Sequence, residues 1–146
     1  MKLDLLIQNG HVVFPGEGVK KANIGVRNGK IVGIYDSQEM HDAVKVLDAE
    51  GLHIFPGLVD AHEHIGIYNP VADDFADTMQ NAIGGVTTVV NYYREPKGYH
   101  DVIPKLIEDG EANSFIDFSY SLGILTEQHI DELEEYVEQY KLTSFK

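Results

Sequence analysis

The sequence predicts an α/β protein in which a parallel sheet follows a shorter all-β segment. From residue 58 onward, apolar β-branched runs alternate with amphipathic stretches of helical period, and this alternation builds parallel sheets. The first 55 residues instead contain apolar runs separated by Asn-Gly and Pro-Gly pairs, which favour strands and tight turns. The pattern alone leaves two parallel architectures open, a doubly wound sheet and a (β/α)8 barrel.

Composition excludes several function classes. The formal charge of −13, from 24 acidic and 11 basic residues, argues against nucleic acid or an anionic membrane as partner, because both require a basic face. Without cysteine there is no disulfide framework, and any metal must have nitrogen and oxygen ligands. The N-terminal apolar patch is too short for a signal peptide or a membrane span. We therefore expect a soluble cytoplasmic protein.

The N-terminal segment is predicted to form two hairpins and one further apolar strand. In "LDLLIQNGHVVF" and "ANIGVRNGKIVGIY" an Asn-Gly pair separates two apolar runs, and each pair suits a type I′ turn. The further strand is "VKVLDAEGLHIF". So short a segment buries only about 60% of its surface, so we expect it to lean on other structure.

The second segment is predicted to contain four strands and three helices. The strands are "LVDAHEHI", "VTTVVNYY", "FIDFSYSLGIL" and the beginning of one in "LTSFK". Four strands cannot close a barrel of eight, so we expect the chain to be the N-terminal part of a protein of at least the ~250 residues typical of such a barrel.

Each predicted helix has a start signal, a stop signal or an apolar stripe. The first is capped by Asp73 or Asp74 and ends at Gly84-Gly85, and the second runs from Asp101 to Gly110. Thr126 opens the third. The residues expected on buried faces are Phe75, Met79, Ala82 and Ile83 in the first helix, and Ile130, Leu133, Val137 and Tyr140 in the third.

The stretch "FPGLVDAHEHIG" holds the candidate site. In a strand, residues two apart share a face, so Asp60, His62 and His64 point to one side. Neutral imidazole is the commonest metal ligand, and Asp60 is a candidate hydrogen-bond acceptor that fixes an imidazole tautomer. A His-x-His pair alone is equally compatible with two ordinary histidines. At the end of a buried strand, however, uncompensated polar groups cost several kcal/mol, which favours metal binding.

Other polar residues of the strand ends receive weaker assignments. Glu63 is expected to face away from the histidines and has no catalytic role. Asn91 ends the second strand, where substrate binding and a plain structural role are equally plausible. A pocket rim and simple packing are both open for "YYR", residues 92–94. The remaining histidines considered are not expected to be ligands; they are His11, His41, His100 and His129.

The run "LDAEGLHIFPGLVDAHEHIG" resembles the metal-dependent amidohydrolase superfamily. The stretches "DDFADTMQNAIGGVTTVVNY" and "LTSFK" narrow the resemblance to the cyclic-amide branch, which includes dihydropyrimidinase, hydantoinase, allantoinase and dihydroorotase. The resemblance implies that residues 1–55 form the N-terminal part of a small β-sandwich. It implies that residues 56–146 form the first four strands and three helices of a (β/α)8 barrel.

The resemblance also implies a metal site. His62 and His64 match the histidines that hold the first of two divalent ions, with zinc expected. Lys146 matches the lysine that carbon dioxide converts to a carbamate bridging both ions. The general-base aspartate and the remaining ligands would lie beyond Lys146, so the fragment alone is expected to be inactive.

The implied reaction is hydrolytic opening of a cyclic amide by a metal-bridging hydroxide, on a dihydropyrimidine, hydantoin or allantoin type of ring. Residues 65–67, "IGI", stand where dihydroorotases carry an arginine, which disfavours a carboxylated ring. A homo-oligomer, dimer or tetramer, is expected. The alternatives are a superfamily enzyme acting on a non-cyclic amide or by deamination, and a non-catalytic scaffold related to dihydropyrimidinase. A stand-alone metal-binding module is disfavoured, because its open sheet would expose an apolar edge.

Overall fold

The computed structural model describes residues 2–146, which divide into two compact units. The first unit ends at Pro56 and the second spans Gly57–Lys146. Among residues 2–146, no helix combines the length and apolar character required to cross a membrane.

The first unit is a single five-stranded mixed sheet. Its strands are β1 (Leu3–Phe14), β2 (Gly18–Arg27), β3 (Lys30–Asp36), β4 (Ala43–Asp48) and β5 (His53–Ile54). The order is β3-β2-β1-β4, with antiparallel pairing among the first three strands. Both β4 and β5 run parallel to β1 and pair with successive parts of its free edge. A long first strand thus organises the whole unit.

Only one of the two Asn-Gly pairs forms a turn. Asn28-Gly29 forms the predicted turn between β2 and β3, with φ of 51° and 70°. The turn predicted at Asn9-Gly10 is wrong: β1 continues through it, and the register against β2 shifts there as a bulge. Asn9 does take a positive φ of 59°, but its side chain donates to Asp48 and its N–H to Asn23, which hold it inside the sheet. The first hairpin turns instead at residues 15–17.

The predicted β-sandwich is not confirmed, because residues 2–56 form one sheet and no second layer. The buried cluster of this unit is small and consists of Val12, Ala22 and Ile24. Several large apolar side chains of the unit are exposed instead: Ile31, Val32, Ile34, Val44, Val46, Leu47, Leu52 and Phe55. Within residues 2–56, no other residue covers these apolar side chains of the sheet.

The second unit is a parallel four-stranded sheet with helices in its connections. The strands are β6 (Leu58–Glu63), β7 (Val86–Tyr93), β8 (Asp117–Leu122) and β9 (Ser144–Phe145), paired in that order. Doubly wound sheets reverse their strand order at a switch point, whereas barrels pair consecutive strands. The uninterrupted order therefore agrees with a partial barrel and corrects the doubly wound alternative.

Five helical segments replace the three predicted helices. They are α1 (Val71–Ala76), α2 (Thr78–Ile83), α3 (Ile103–Asn113), α4 (Glu127–Asp131) and α5 (Leu133–Tyr140). The predicted first and third helices are each divided in two, at Asp77 and Glu132. The stop at Gly84-Gly85 and the cap at Thr126, whose Oγ1 accepts the His129 N–H, are confirmed.

Other helix predictions are wrong. The chain enters α1 at Pro70, so Asp73 and Asp74 lie inside the first turn, and Val102 rather than Asp101 precedes α3. Gly110 does not end α3, because the glycine lets the helix pass against the Phe118 ring. Five residues expected on buried faces are exposed: Met79, Ala82, Ile83, Ile130 and Val137.

The segment after β7 is anchored to α4 and α5 by buried aromatic residues. Tyr99 stacks on His129 at 4.5 Å between ring centroids and donates its hydroxyl to the Gly123 carbonyl at 2.6 Å. Its N–H donates to the Tyr136 hydroxyl at 3.1 Å, and that hydroxyl donates to Glu132. All three ring-bearing residues are fully buried. This anchor fixes the chain that leaves the C-terminal end of β7.

We predict that Gly110→Ala destabilises the protein although alanine favours helices by about 1 kcal/mol. A Cβ at position 110 would lie 2.6 Å from Phe118 Cε2, and that ring is confined by Phe75 at 4.8 Å between centroids. Overpacking of this kind costs about 1–3 kcal/mol. Gly84→Ala is the matched control, since its nearest atom would be 3.4 Å away. Urea unfolding measures both; equal stability of the two variants would contradict the packing argument.

We predict that Tyr136→Phe lowers the free energy of unfolding by an amount that depends on pH. The Tyr136 hydroxyl is the main cause of a lowered Glu132 pKa, from a usual value of about 4.5. A lowered folded-state pKa stabilises the protein above the unfolded pKa, and this contribution is lost as the pH falls through the folded value. The variant should therefore lose more stability at neutral pH than at about pH 4 and below.

Urea unfolding across this pH range provides the measurement. Tyr140→Phe is the control, because within residues 2–146 the Tyr140 hydroxyl makes no hydrogen bond. A loss of stability in Tyr136→Phe that is constant with pH would contradict the assignment.

Candidate functional site

Two imidazoles meet at the C-terminal end of β6. His62 lies within the strand and His64 directly beyond it, and their Nε2 atoms are 3.2 Å apart. The two rings are nearly perpendicular, with an interplanar angle of 78°. Both side chains are exposed, so the pair is open to a ligand.

The separation of these nitrogens suits a metal ion. Two nitrogens bound tetrahedrally at the ~2.0–2.1 Å typical of zinc lie about 3.3–3.4 Å apart. Without an ion, one Nε2 must carry the proton and donate to the other, which is equally compatible with 3.2 Å. Across residues 2–146, no three His, Asp or Glu side chains group closely enough to hold a metal. A complete site therefore requires a ligand of another kind or from another part of the protein.

Lys146 follows β9 and approaches the histidines through a shared neighbour. Its Nζ lies 4.7 Å from the centroid of the Tyr92 ring. The same ring is 5.6 Å from His62, stacked at 16°, and 5.6 Å from His64, edge-on at 90°. Backbone hydrogen bonds of Lys146 to Leu122 and Ile124 fix the lysine's position beside β8. All three predicted metal ligands thus surround one aromatic side chain.

Tyr92 has a more central place in the site than the pocket rim or simple packing expected for residues 92–94. Glu63 pairs with Asn91 in the β6–β7 register, and paired residues of neighbouring strands point to the same face. Tyr92 must then share the opposite face with His62 and His64. The irregularity between Asp60 and Glu63 sets this register, and no local sequence pattern shows it.

The carboxylates beside the histidines bind backbone rather than imidazole. Asp60 Oδ1 accepts the His62 N–H at 3.0 Å, so the predicted fixing of a tautomer through an imidazole hydrogen bond is not seen. Glu63 Oε1 accepts the His64 N–H at 2.9 Å. Both side chains are close enough to the backbone to hold the end of β6 in its observed path, where the regular pairing with β7 becomes irregular.

Asn91 has a structural role in this arrangement. It has 0% exposure, its Oδ1 accepts the Ile65 N–H at 2.7 Å, and its Nδ2 donates to the Ile65 carbonyl at 3.0 Å. The side-chain amide thereby replaces a neighbouring peptide group and extends the pairing of β6 past Glu63. Of the two alternatives for Asn91, the contacts support the structural one, and its polar atoms are already used by Ile65.

Two small cavities are lined by residues at the C-terminal ends of β6 and β7. One of about 280 Å³ is bordered by Glu63, His64 and Tyr68, and one of about 210 Å³ by Ile67, Tyr92 and Arg94. A larger cavity of about 550 Å³ lies between α3, β8 and the end of α5, and contains none of the predicted site residues. Catalytic groups of barrels collect at the C-terminal ends of strands, so the two smaller cavities are the relevant ones.

Three further titratable side chains are accounted for by burial or by hydrogen bonds within the protein: Tyr93, His129 and His11. Burial, with Glu95 nearby, raises the pKa of Tyr93, so this phenol keeps its proton. His129 Nδ1 accepts the Leu125 N–H at 3.0 Å, which makes Nε2 the donor to the Lys97 carbonyl at 2.7 Å. His11 Nδ1 lies 2.7 Å from the Gly51 carbonyl. These two histidines have protein partners that account for them.

Comparison with known proteins agrees with this picture, although no family model matches the chain. A D-hydantoinase of Ralstonia pickettii is 34% identical over 99% of this chain and 32% of its own length. An allantoinase of Desulfitobacterium hafniense (strain Y51) is 33% identical over 92% of this chain and 30% of its own. The crystal structure of dihydropyrimidinase from Brevibacillus agri NCHU1002 matches 96% of this chain and 32% of its own, with 29% identity and a TM-score of 0.81.

The chain spans about a third of the length of these relatives. The similarity extends over both compact units, so it does not depend on the His-x-His motif alone. The chain is therefore similar, along nearly its whole length, to the N-terminal portion of D-hydantoinases, allantoinases and dihydropyrimidinase, a similarity consistent with the cyclic amidohydrolase branch.

Proposed function

We propose that the protein is a metal-dependent hydrolase that opens a cyclic amide of the dihydropyrimidine, hydantoin or allantoin type. The observation that carries the proposal is the grouping of His62, His64 and Lys146 around one ring at the ends of their strands. The names of the relatives, D-hydantoinase, allantoinase and dihydropyrimidinase, support the substrate class.

Each candidate ligand has a distinct part in this proposal. The exposed Nε2 atoms of His62 and His64 would hold the first divalent ion. Lys146, as a carbamate formed with carbon dioxide, would supply an anion on a long stem to two ions, which its ammonium form would repel. Bound zinc ions lower the pKa of water toward ~7 and polarise a carbonyl. Further ligands and a general-base aspartate are expected from other parts of the protein, so these residues alone would not be active.

The wider proposal follows the family. A complete (β/α)8 barrel would close on the free edges of β6 and β9, and a second layer would cover the first unit as a β-sandwich. We further propose a cytoplasmic homo-oligomer, a dimer or tetramer, with a small-molecule substrate. The charge of −13 supports the expectation that neither nucleic acid nor membrane is a partner.

The residues that line the cavity beside Tyr92 are relevant to which cyclic substrate the protein would hydrolyse. The absence of an arginine directly after His64 disfavours a carboxylated substrate, yet Arg94 borders the same cavity as Ile67. An assay should therefore compare hydantoin, dihydrouracil and allantoin with a carboxylated ring such as dihydroorotate. Faster turnover of the uncarboxylated rings would support the proposed specificity.

We predict that His62→Ala and His64→Ala each remove metal and activity from the intact protein. Loss of one ligand should lower hydrolysis by roughly 100-fold or more, which corresponds to several kcal/mol of transition-state stabilisation. Elemental analysis and ring-opening assays provide the measurements, with His11→Ala as a matched control. A wild-type protein that binds no divalent ion and opens none of these rings would support the scaffold alternative instead.

We predict that Lys146 carries the carbon dioxide. Lys146→Ala should lose the second ion and most activity, and a small carboxylate such as propionate should restore part of both by replacing the carbamate. Isotope-labelled bicarbonate should give a carbamate NMR signal in the wild type, with Lys141→Ala as the control. A signal that survives in Lys146→Ala would contradict the assignment.

A further inference from the structure

Tyr92 is the one side chain shown to contact all three candidate ligands among residues 2–146. It is half-buried, and its phenol is not itself needed as a ligand. We propose that Tyr92 is a positioning residue whose ring sets the relative placement of His62, His64 and Lys146. This inference rests on the proposed function and assigns a supporting residue to the same site.

The ring has a fixed position of its own. Tyr92 pairs with Ser121 in the β7–β8 register, so the backbone beneath the ring is held by the ladder. Its hydroxyl reaches over Gly123 directly after β8, where a Cβ would lie 2.9 Å from Oη. The ring can occupy this place because Gly123 has no side chain. A rigid strand and a close backbone contact therefore confine the ring from two sides.

A confined ring restricts both imidazoles. His62 lies flat against it at 16°, while His64 meets it edge-on at 90°, and this pair of orientations is what directs the two Nε2 atoms toward each other. Exposed imidazoles otherwise rotate among several rotamers, and ordering each one on binding costs free energy. The ring thus limits the ordering that metal binding would require.

Lys146 is the third candidate ligand in contact with the Tyr92 ring. Its amine lies 4.7 Å from the centroid, within the ~6 Å range of cation–π attraction. In the ammonium form, before carbon dioxide adds, this attraction holds the long side chain beside the histidines, where the carbamate would form. The ring supplies all three contacts, whereas the hydroxyl contacts only the Gly123 region, so the ring and not the hydroxyl should carry the effect.

The test measures divalent metal affinity in the intact protein by chelator competition with zinc, and ligand geometry by the visible spectrum of the cobalt(II) form. Tyr92→Leu should weaken affinity roughly tenfold and change the spectrum, whereas Tyr92→Phe should stay within about threefold of the wild type. Tyr68→Leu is the matched control, because Tyr68 borders the neighbouring cavity but is 93% exposed.

Gly123 provides a second test that does not require removal of the ring. Gly123→Ala should displace the Tyr92 hydroxyl and weaken affinity. The double variant Tyr92→Phe with Gly123→Ala should recover it, because without the hydroxyl the nearest Tyr92 atom is Cζ at 3.5 Å, and the contact that remains, with Arg94 Cβ at 3.2 Å, does not involve the ring. Circular dichroism confirms the fold of each variant, and the Gly123 pair decides the matter if Tyr92→Leu does not fold.

Wild-type affinity in Tyr92→Leu, or no recovery in the double variant, would overturn the inference while the proposed function stands. Failure of the wild type to bind zinc at all would overturn both. Loss of affinity in Tyr92→Phe as large as in Tyr92→Leu would also overturn it, since the hydroxyl would then be the active group.

Discussion

Parallel pairing of consecutive strands is the constraint on which the site depends. Neighbouring β6, β7, β8 and β9 place their C-terminal ends along one edge, and the pairs Glu63–Asn91 and Leu122–Phe145 fix how far each strand extends. A slip of one residue would turn every side chain of a strand to the opposite face. The register of the strands therefore brings His62, Tyr92 and Lys146 together. The Asn91–Ile65 contact secures it where the backbone ladder becomes irregular.

Strand identity and the grouping of the histidines could be predicted from sequence, because both depend on the short period of a β-strand. Turn chemistry was less reliable. Asn9-Gly10 and Asn28-Gly29 present the same dipeptide, and both asparagines take a positive φ, but only the second reverses the chain. At the first pair, β4 and β5 extend the free edge of β1 and keep the strand continuous. Those partners lie over 30 residues away, so no local pattern could reveal them.

The helices show the same limit in a different form. Gly110 carries a stop signal, yet its missing side chain accommodates Phe118 and the helix continues to Asn113. Ile83 and Ile130 have the spacing of buried positions but are exposed within this chain. The spacing of apolar residues in a helix indicates which face of the helix will be buried, but it does not indicate which part of the protein buries that face. For a chain about a third as long as its relatives, exposed apolar faces are consistent with the proposal of a larger barrel.

The geometry of the histidine pair has a consequence for how a metal would bind. The Nε2 atoms are already 3.2 Å apart, close to the ~3.3–3.4 Å of a tetrahedral zinc site, so the rings would need to move little. The donor imidazole would carry its proton on Nδ1 instead of Nε2, and both Nε2 lone pairs would be available to the ion. Sites that need little reorganisation keep more of their interaction energy as affinity. Both imidazoles are exposed, and exposed side chains usually sample several rotamers. Contact of both rings with Tyr92 gives a physical reason why these two are held in one arrangement. Asp60 and Glu63 then contribute by holding the backbone N–H groups of the same two residues, which leaves the imidazole nitrogens free for the ion.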